Sequence, residues 1–221
     1  MRDLVRSVVV ACLAAVTISQ AKAANPLDDL IQPVDGKSAC LLRAYDATHL
    51  RRHPRQKTVS MTVWLSYESA GGHGPFLNVA VGLSQRGSPA MLFSSGSCQF
   101  DPKANRNTSG MRLITAYPKE SGHVCMQSAR PDVFWAVSAE EGGVLIMDRG
   151  KDRDTLMLYL DDSLTMVNRS DRNDLLDIKF GADDRVFMLR RAPIKDCAVV
   201  EEAVTTPEPG VRRRRPARAG E

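Results

Sequence analysis

The sharpest chemical pattern in this sequence is a pair of histidines four residues apart. Asp46 predicts the start of a short helix over Ala47–Arg52, and Pro54 predicts its end. On such a helix His49 and His53 share one face, where two imidazoles can hold a metal ion. No third ligand is identifiable, and the glutamate that a zinc protease needs beside its histidines is missing, so we expect no metal site. Asp46, His49 and His53 are therefore candidates for a functional surface.

Acidic residues form three further patterns, each of which a turn explains. Asp148, Asp152 and Asp154 are spaced like the start of a calcium loop, but Arg153 and Tyr159 stand where that loop needs glycine and glutamate. The acid pairs at 161–162 and 183–184 could serve a glycosidase, yet both stand at turn positions that aspartate favours. We expect hairpins and turns at these places, with no bound cofactor.

One functional hypothesis is a periplasmic hydrolase whose site is assembled from distant residues. It is the alternative to a protein that binds a partner without catalysis. Ser94, Ser95 and Ser97 offer hydroxyls, but they lack the Gly-x-Ser-x-Gly form of a nucleophile elbow. A triad would need a histidine such as His73 or His123 to reach a nucleophile through the fold. The sequence favours a protein that is not an enzyme.

The elements that must position these residues are strands. Between 58 and 67 apolar residues alternate with polar ones, which is the pattern of a half-buried strand. Similar short runs follow, separated by Gly, Pro, Asp and Asn. They lie at 76–83, 90–93, 97–100, 111–117, 123–128, 133–137, 144–148, 155–160, 164–167, 175–180 and 185–190.

So many short strands predict an all-β fold, an antiparallel meander with one helical turn near 47–53. A single open sheet of this size would expose two edges, so the meander is expected to close into a small barrel; a β-sandwich is the alternative. The plan resembles small periplasmic disulfide-stapled barrels such as lysozyme inhibitors and lipocalin-like carriers. No motif residues carry this resemblance, so it transfers no site.

Four cysteines remain once Cys12, inside an apolar leader, is set aside, and they allow three pairings. Cys98 and Cys125 stand on neighbouring strand candidates. Cys40 opens the first strand and Cys197 follows the last, and these strands become neighbours in a closed meander. We therefore expect the bonds Cys98–Cys125 and Cys40–Cys197.

The two ends of the chain differ in composition from the part between them. Residues 1–23 combine two arginines, an apolar run and the small-x-small triplet at 21–23, which predicts a cleaved secretory signal; lipidation at Cys12 is the alternative. Residues 24–39 read as an N-terminal arm, 40–197 as a single barrel domain and 198–221 as a disordered basic tail rich in Pro and Arg. Four consecutive arginines in this tail could contact anionic surfaces weakly: Arg212, Arg213, Arg214 and Arg215.

Charge limits the class of partner. Of the net charge of +4, residues 1–23 carry +2 and residues 198–221 carry +1, which leaves +1 for the body. A domain that binds nucleic acid specifically should be more basic, and no second apolar run is long enough to span a membrane. The sequence therefore predicts a periplasmic or secreted module that binds an envelope protein or a small ligand without catalysis, through loops 46–54 and 69–75 or its interior.

Overall fold

Ten antiparallel strands form the framework of the described part of the chain. The computed structural model describes residues 26–69, 75–107, 109–128, 142–168 and 171–205. The strands are β1 Ser38–Ala44, β2 Thr58–Glu68, β3 Phe76–Gln85, β4 Met91–Asp101, β5 Gly122–Gln127, β6 Val144–Arg149, β7 Thr155–Leu160, β8 Ser163–Asn168, β9 Asp171–Lys179 and β10 Val186–Ala192. The helices are α1 Ala47–Arg52 and α2 Ala198–Thr205.

Eight of these strands close into a ring, which confirms the predicted barrel. The hydrogen-bonded order is β3-β2-β1-β10-β7-β6-β5-β4, and β4 pairs back onto β3. The first and last strands are neighbours, with Leu41 opposite Arg191. The hairpin β8–β9 lies outside the ring and pairs with β4, where Leu92 faces Asn168. The β-sandwich alternative is wrong because one continuous ring uses both edges of the sheet.

Inward side chains of all eight ring strands belong to one hydrophobic core. The members include Leu41, Val63, Val79, Leu158 and Phe187, each fully buried. Eight strands enclose a space that side chains just fill. Since the facing side chains touch across this space, the interior is a packed core.

The predicted disulfides are both confirmed, and they lie on opposite sides of the barrel wall. Cys98 faces Cys125 directly across β4 and β5, on the inner side, with Cα atoms 4.0 Å apart. Cys40 and Cys197, with Cα atoms 5.7 Å apart, lie in a second cluster on the outer side. The two bonds are compatible with an oxidising compartment. Neither of the described helices has the length and apolar content to cross a bilayer.

Helix α2 extends the ordered domain beyond the predicted boundary at Cys197. Its residues Val200, Ala203 and Val204 are buried against the outer face of the barrel, where they meet Trp64. A Cβ at Gly82 would lie 2.5 Å from Cγ2 of Val200, so glycine lets the helix approach β3 closely. Residues 198–205 of the expected tail therefore form this helix, and residues 206–221 lie outside the described part.

Three strand predictions need correction or cannot be followed. The separate strands at 90–93 and 97–100 are one strand, β4, because β3 and β5 pair with the serine-rich stretch between them. The run 111–117 is not a strand; its apolar side chains, including Ile114 and Tyr117, pack on the outside of the barrel against Val124. The run 133–137 lies outside the described residues.

The N-terminal arm closes one end of the barrel. Leu27, Leu30 and Ile31 are buried in the main core. Arg149 pairs with Asp29 at 2.6 Å, which ties the arm to β6. We call this the arm end of the barrel, and the opposite end, where α1 lies, the α1 end.

The outer disulfide should contribute more stability than the inner one. The bond Cys40–Cys197 closes 157 residues and the bond Cys98–Cys125 closes 27. In the chain-entropy model, loops of these lengths contribute about 5 and about 3.5 kcal/mol respectively. We expect the double variant Cys40→Ala/Cys197→Ala to lose about 5 kcal/mol in urea unfolding, with Cys98→Ala/Cys125→Ala as the matched control. A larger loss in the control pair would contradict this ranking.

Candidate functional site

The short helix α1 forms where the sequence predicts it, between β1 and β2. The carboxylate of Asp46 accepts a hydrogen bond of 2.7 Å from the backbone N–H of His49, and this bond lowers the pKa of Asp46. At the other end, Arg86 donates to the carbonyl oxygens of Leu50 and His53, at 2.9 and 3.4 Å. Both ends of a helix of only six residues are therefore capped by side chains.

The two histidines lie on one face of α1, in a row of four stacked groups that we call the ring stack: Arg43, Tyr45, His49 and His53. The imidazole centroids of His49 and His53 are 4.3 Å apart, and the ring of Tyr45 stacks on His49 at 4.5 Å. The guanidinium of Arg43 lies 4.6 Å from the centre of the Tyr45 ring, within cation–π range. Burial raises the pKa of Tyr45, and the charge of Arg43 opposes this shift.

Gln56 fixes the orientation and tautomer of His49. The side-chain amide of Gln56 is buried, and its nitrogen donates to the carbonyl oxygen of Thr58 at 3.1 Å. Its oxygen is therefore left to accept, at 2.9 Å, from Nε2 of His49. A neutral His49 consequently carries its proton on Nε2, and the inner part of the ring stack is held in place.

Asp184, which is buried, holds the segment after α1 to the barrel. Its two carboxylate oxygens accept hydrogen bonds from the backbone N–H groups of Lys57 and Thr58, at 2.8 and 2.9 Å. Its neighbour Asp183 makes only a long contact of 3.6 Å with Arg55, whose side chain is 82% exposed. In the acid pair at 183–184, Asp184 therefore anchors the segment after α1, whereas Asp183 makes the long contact with Arg55.

The outer surface of this region is strongly basic. Around α1 lie six cations and three carboxylates; Asp184 is buried and accepts from backbone N–H groups, and Asp183 is the partner of Arg55. The cations are Arg43, Arg51, Arg52, Arg55, Lys57 and Arg86, and the third carboxylate is Asp46. This gives a local charge of +3 with neutral histidines, against +1 for the whole body. The net charge of the whole body does not reveal that positive charge is concentrated around α1.

The other patterns with possible chemistry have structural roles. Asp148 lies on the outside of β6 and pairs with Lys119 at 2.5 Å, and 150–154 form the predicted hairpin turn. Asp162 pairs with Arg185 at 2.7 Å. Ser94 is buried and donates to Gln127 at 3.0 Å. Within the described residues, no group of three or more His, Cys, Asp or Glu side chains could hold a metal ion.

His123 is the buried histidine among the residues that the structure describes. It points into the barrel near the arm end, its side chain is 2% exposed, and neither ring nitrogen has a hydrogen-bond partner among the described residues. Burial lowers its pKa to about 4, although the charge of Asp148 opposes the shift. His73, and the arginines at 212–215, lie outside the described residues.

Sequence reasoning found half of the ring stack and missed the rest. Helical spacing placed His49 and His53 together, but Arg43 and Tyr45 come from the end of β1, and only the folded barrel brings them alongside. A signal for His123 was present: it stands two residues before Cys125 on the same strand, so both must face inward.

Comparisons of the chain with protein-family models, with curated proteins and with solved structures gave no match. The geometry of the described residues therefore carries the functional argument by itself.

Removing the Asp184 carboxylate should destabilise the protein strongly. The variant Asp184→Ala leaves one buried and one partly buried N–H group without an acceptor, which we expect to cost about 3 kcal/mol in urea unfolding. Asp183→Ala is the matched control, because its long contact with an exposed arginine is worth less than about 1 kcal/mol. Equal losses in the two variants would show that Asp184 is not an anchor.

The buried imidazole of His123 should make stability fall in weak acid. The unfolded chain binds a proton there below about pH 6.5, whereas the native protein does so only below about pH 4. Between these values the unfolded state binds more protons, so stability decreases as pH falls, by about 3 kcal/mol in total. We expect His123→Phe to flatten urea-unfolding stability across this window. A slope that survives in His123→Phe would assign it to other groups.

Proposed function

We propose that this protein is a non-enzymatic binding module of the periplasm or the secreted space, and that it binds an acidic surface of a partner protein through the α1 end. The observation that carries the proposal is the ring stack and its anchors. They hold α1 rigidly while Arg51, Arg52 and His53 stay exposed on its outer side. The compartment is inferred from the two disulfides together with the leader predicted over residues 1–23.

A rigid loop lowers the cost of association. A flexible loop loses conformational entropy when it binds, and this loss weakens the affinity. A loop that is already ordered in the free protein avoids this cost. Here Asp46, Gln56, Asp184 and Arg86 all hold the loop before any partner arrives. The loop differs in this respect from an exposed segment whose charges are merely solvated.

Charge and residue type favour an acidic protein surface as the partner. A local charge of +3 steers an anionic partner toward this end and speeds encounter. Arginine is enriched among the residues that dominate binding at protein interfaces, because its planar guanidinium bonds to carboxylates at two points. His53 adds an exposed ring at the outer end of the stack, against which a partner side chain can pack.

The hydrolase alternative has no comparable support. It needs a histidine beside a nucleophile or an acid in a cleft. Of the three histidines in the described residues, His49 bonds to Gln56, and neither His53 nor His123 bonds to a serine or an acid. We keep a weaker proposal for the four arginines at 212–215. Their positive charge would add to the attraction between the basic α1 end and an acidic partner.

Reversing charge on α1 should weaken binding to an acidic polymer. With poly-L-glutamate as the probe, we expect Arg51→Glu/Arg52→Glu to bind about tenfold more weakly than the unaltered protein at low salt. The matched control is Lys151→Glu/Arg153→Glu, the same charge change on exposed residues of the 150–154 turn at the arm end. Fluorescence anisotropy gives both affinities.

Because all these chains keep the arginine tail, any difference between the two pairs reports the α1 end. Equal weakening in both pairs would show that net charge alone is responsible and would overturn the assignment. A separate chain lacking residues 211–221 measures the contribution of the tail with anionic vesicles, where an unchanged affinity at low salt would remove the tail from the proposal.

A further inference from the structure

A cleft of about 240 Å³ opens at the arm end of the barrel, at the opposite end from α1. It lies where β2 ends, β3 begins, β4 ends and β5 begins. Its walls include Tyr67, Phe76, Cys98, Phe100 and His123. The proposed binding at the α1 end uses none of these residues, so the cleft is a separate feature.

Three aromatic rings and a disulfide shape the cleft. Tyr67 is buried and Phe76 is half-buried, whereas Phe100 is 48% exposed. The centroid of the Phe100 ring lies 5.4 Å from that of His123 at a tilt of 58°. The bond from Cys98 to Cys125 joins the two strands that carry these rings, so their spacing is fixed.

His123 supplies the polar group of this wall. Both of its ring nitrogens are buried and have no hydrogen-bond partner among the described residues. Such groups are rare in folded proteins because each costs free energy until a partner is found. A neutral imidazole has one donor and one acceptor, so a hydroxyl group brought against either nitrogen would satisfy it.

We propose that the cleft binds a neutral phenol ring, with the ring between Phe100 and the walls formed by Tyr67 and Phe76, and its hydroxyl hydrogen-bonded to His123. Aromatic walls favour a flat ring in tilted or offset contact. None of the described lining residues is charged, so an ionised guest would lose its solvation without compensation. The volume suits a single substituted ring and lies below the range of drug-sized sites.

A comparison of two matched probes tests this assignment on the oxidised full chain. The first is 4-methylphenol, and the second is toluene, which has the same ring and methyl group but no hydroxyl. Titrations followed by the NMR signals of the histidine rings give both dissociation constants at pH 7. We expect saturable binding of 4-methylphenol with a shift at His123, about tenfold tighter than that of toluene.

Two variants locate the interaction, and a third controls for the other end of the barrel. His123→Phe keeps a ring but removes both nitrogens, so the preference for 4-methylphenol over toluene should disappear. Phe100→Ala, at a half-exposed position, should weaken both probes several-fold. His53→Phe should leave both affinities unchanged.

Several results would overturn the proposal. They are the absence of saturable binding, equal affinity for both probes in the unaltered protein, or a hydroxyl preference that survives in His123→Phe. The first two need no variant, so the test stands even if His123→Phe folds poorly.

The phenol could come from a small molecule or from a tyrosine side chain, and a second titration distinguishes these sources. Tighter binding of the blocked peptide Gly-Tyr-Gly than of 4-methylphenol, with Gly-Phe-Gly binding weakly, would assign the site to a tyrosine of a partner protein. Tighter binding of free 4-methylphenol would assign it to a small phenolic compound.

Discussion

Closure of the eight-stranded ring is the constraint on which the rest of this structure depends. Each ring strand has a hydrogen-bonded neighbour on both sides, so the sheet has no free edge there, and alternate side chains must point into the enclosed space. That space is occupied by residues such as Val63, Val79 and Leu158, which are fully buried. With the interior filled and the wall continuous, recognition is left to the ends of the barrel and to the outer face.

The outer face is covered in part, and the covering elements explain residues that a lone barrel would not need. Helix α2, held by Cys197, lies over Trp64 and across Gly82, and the segment that carries Tyr117 covers Val124. These elements put a second apolar layer around part of the wall. The two ends of the barrel hold both proposed sites.

The sequence predicted most of the strands and both disulfides, which depend on the periodicity and spacing of residues. It did not predict the features that depend on contacts between distant parts of the fold. Alternation identified β2 and β3, and adjacency in a closed meander identified both disulfides. The serines at 94–97 looked like a break in a strand, but pairing with β3 and β5 on either side keeps β4 continuous. Apolar residues at 111–117 and in α2 pack against the outer face of the barrel. The local periodicity of these segments does not reveal that they pack there. Likewise, helical spacing joined His49 to His53, but nothing in the sequence placed Arg43 and Tyr45 beside them.

The two ends of the barrel differ in the side chains that they present. At the α1 end the connection between β1 and β2 carries α1, and its cations Arg51 and Arg52 are exposed beside the ring stack. At the arm end Leu27 and Leu30 fill one side of the opening and leave the side near β4 and β5 concave, with His123 at its wall. A packed core separates the two, so a guest at one end changes the other only if it displaces core side chains. Because such cores resist displacement, binding at the α1 end and binding in the cleft should be thermodynamically independent, and one chain could hold a partner and a small ring together without either affecting the affinity of the other.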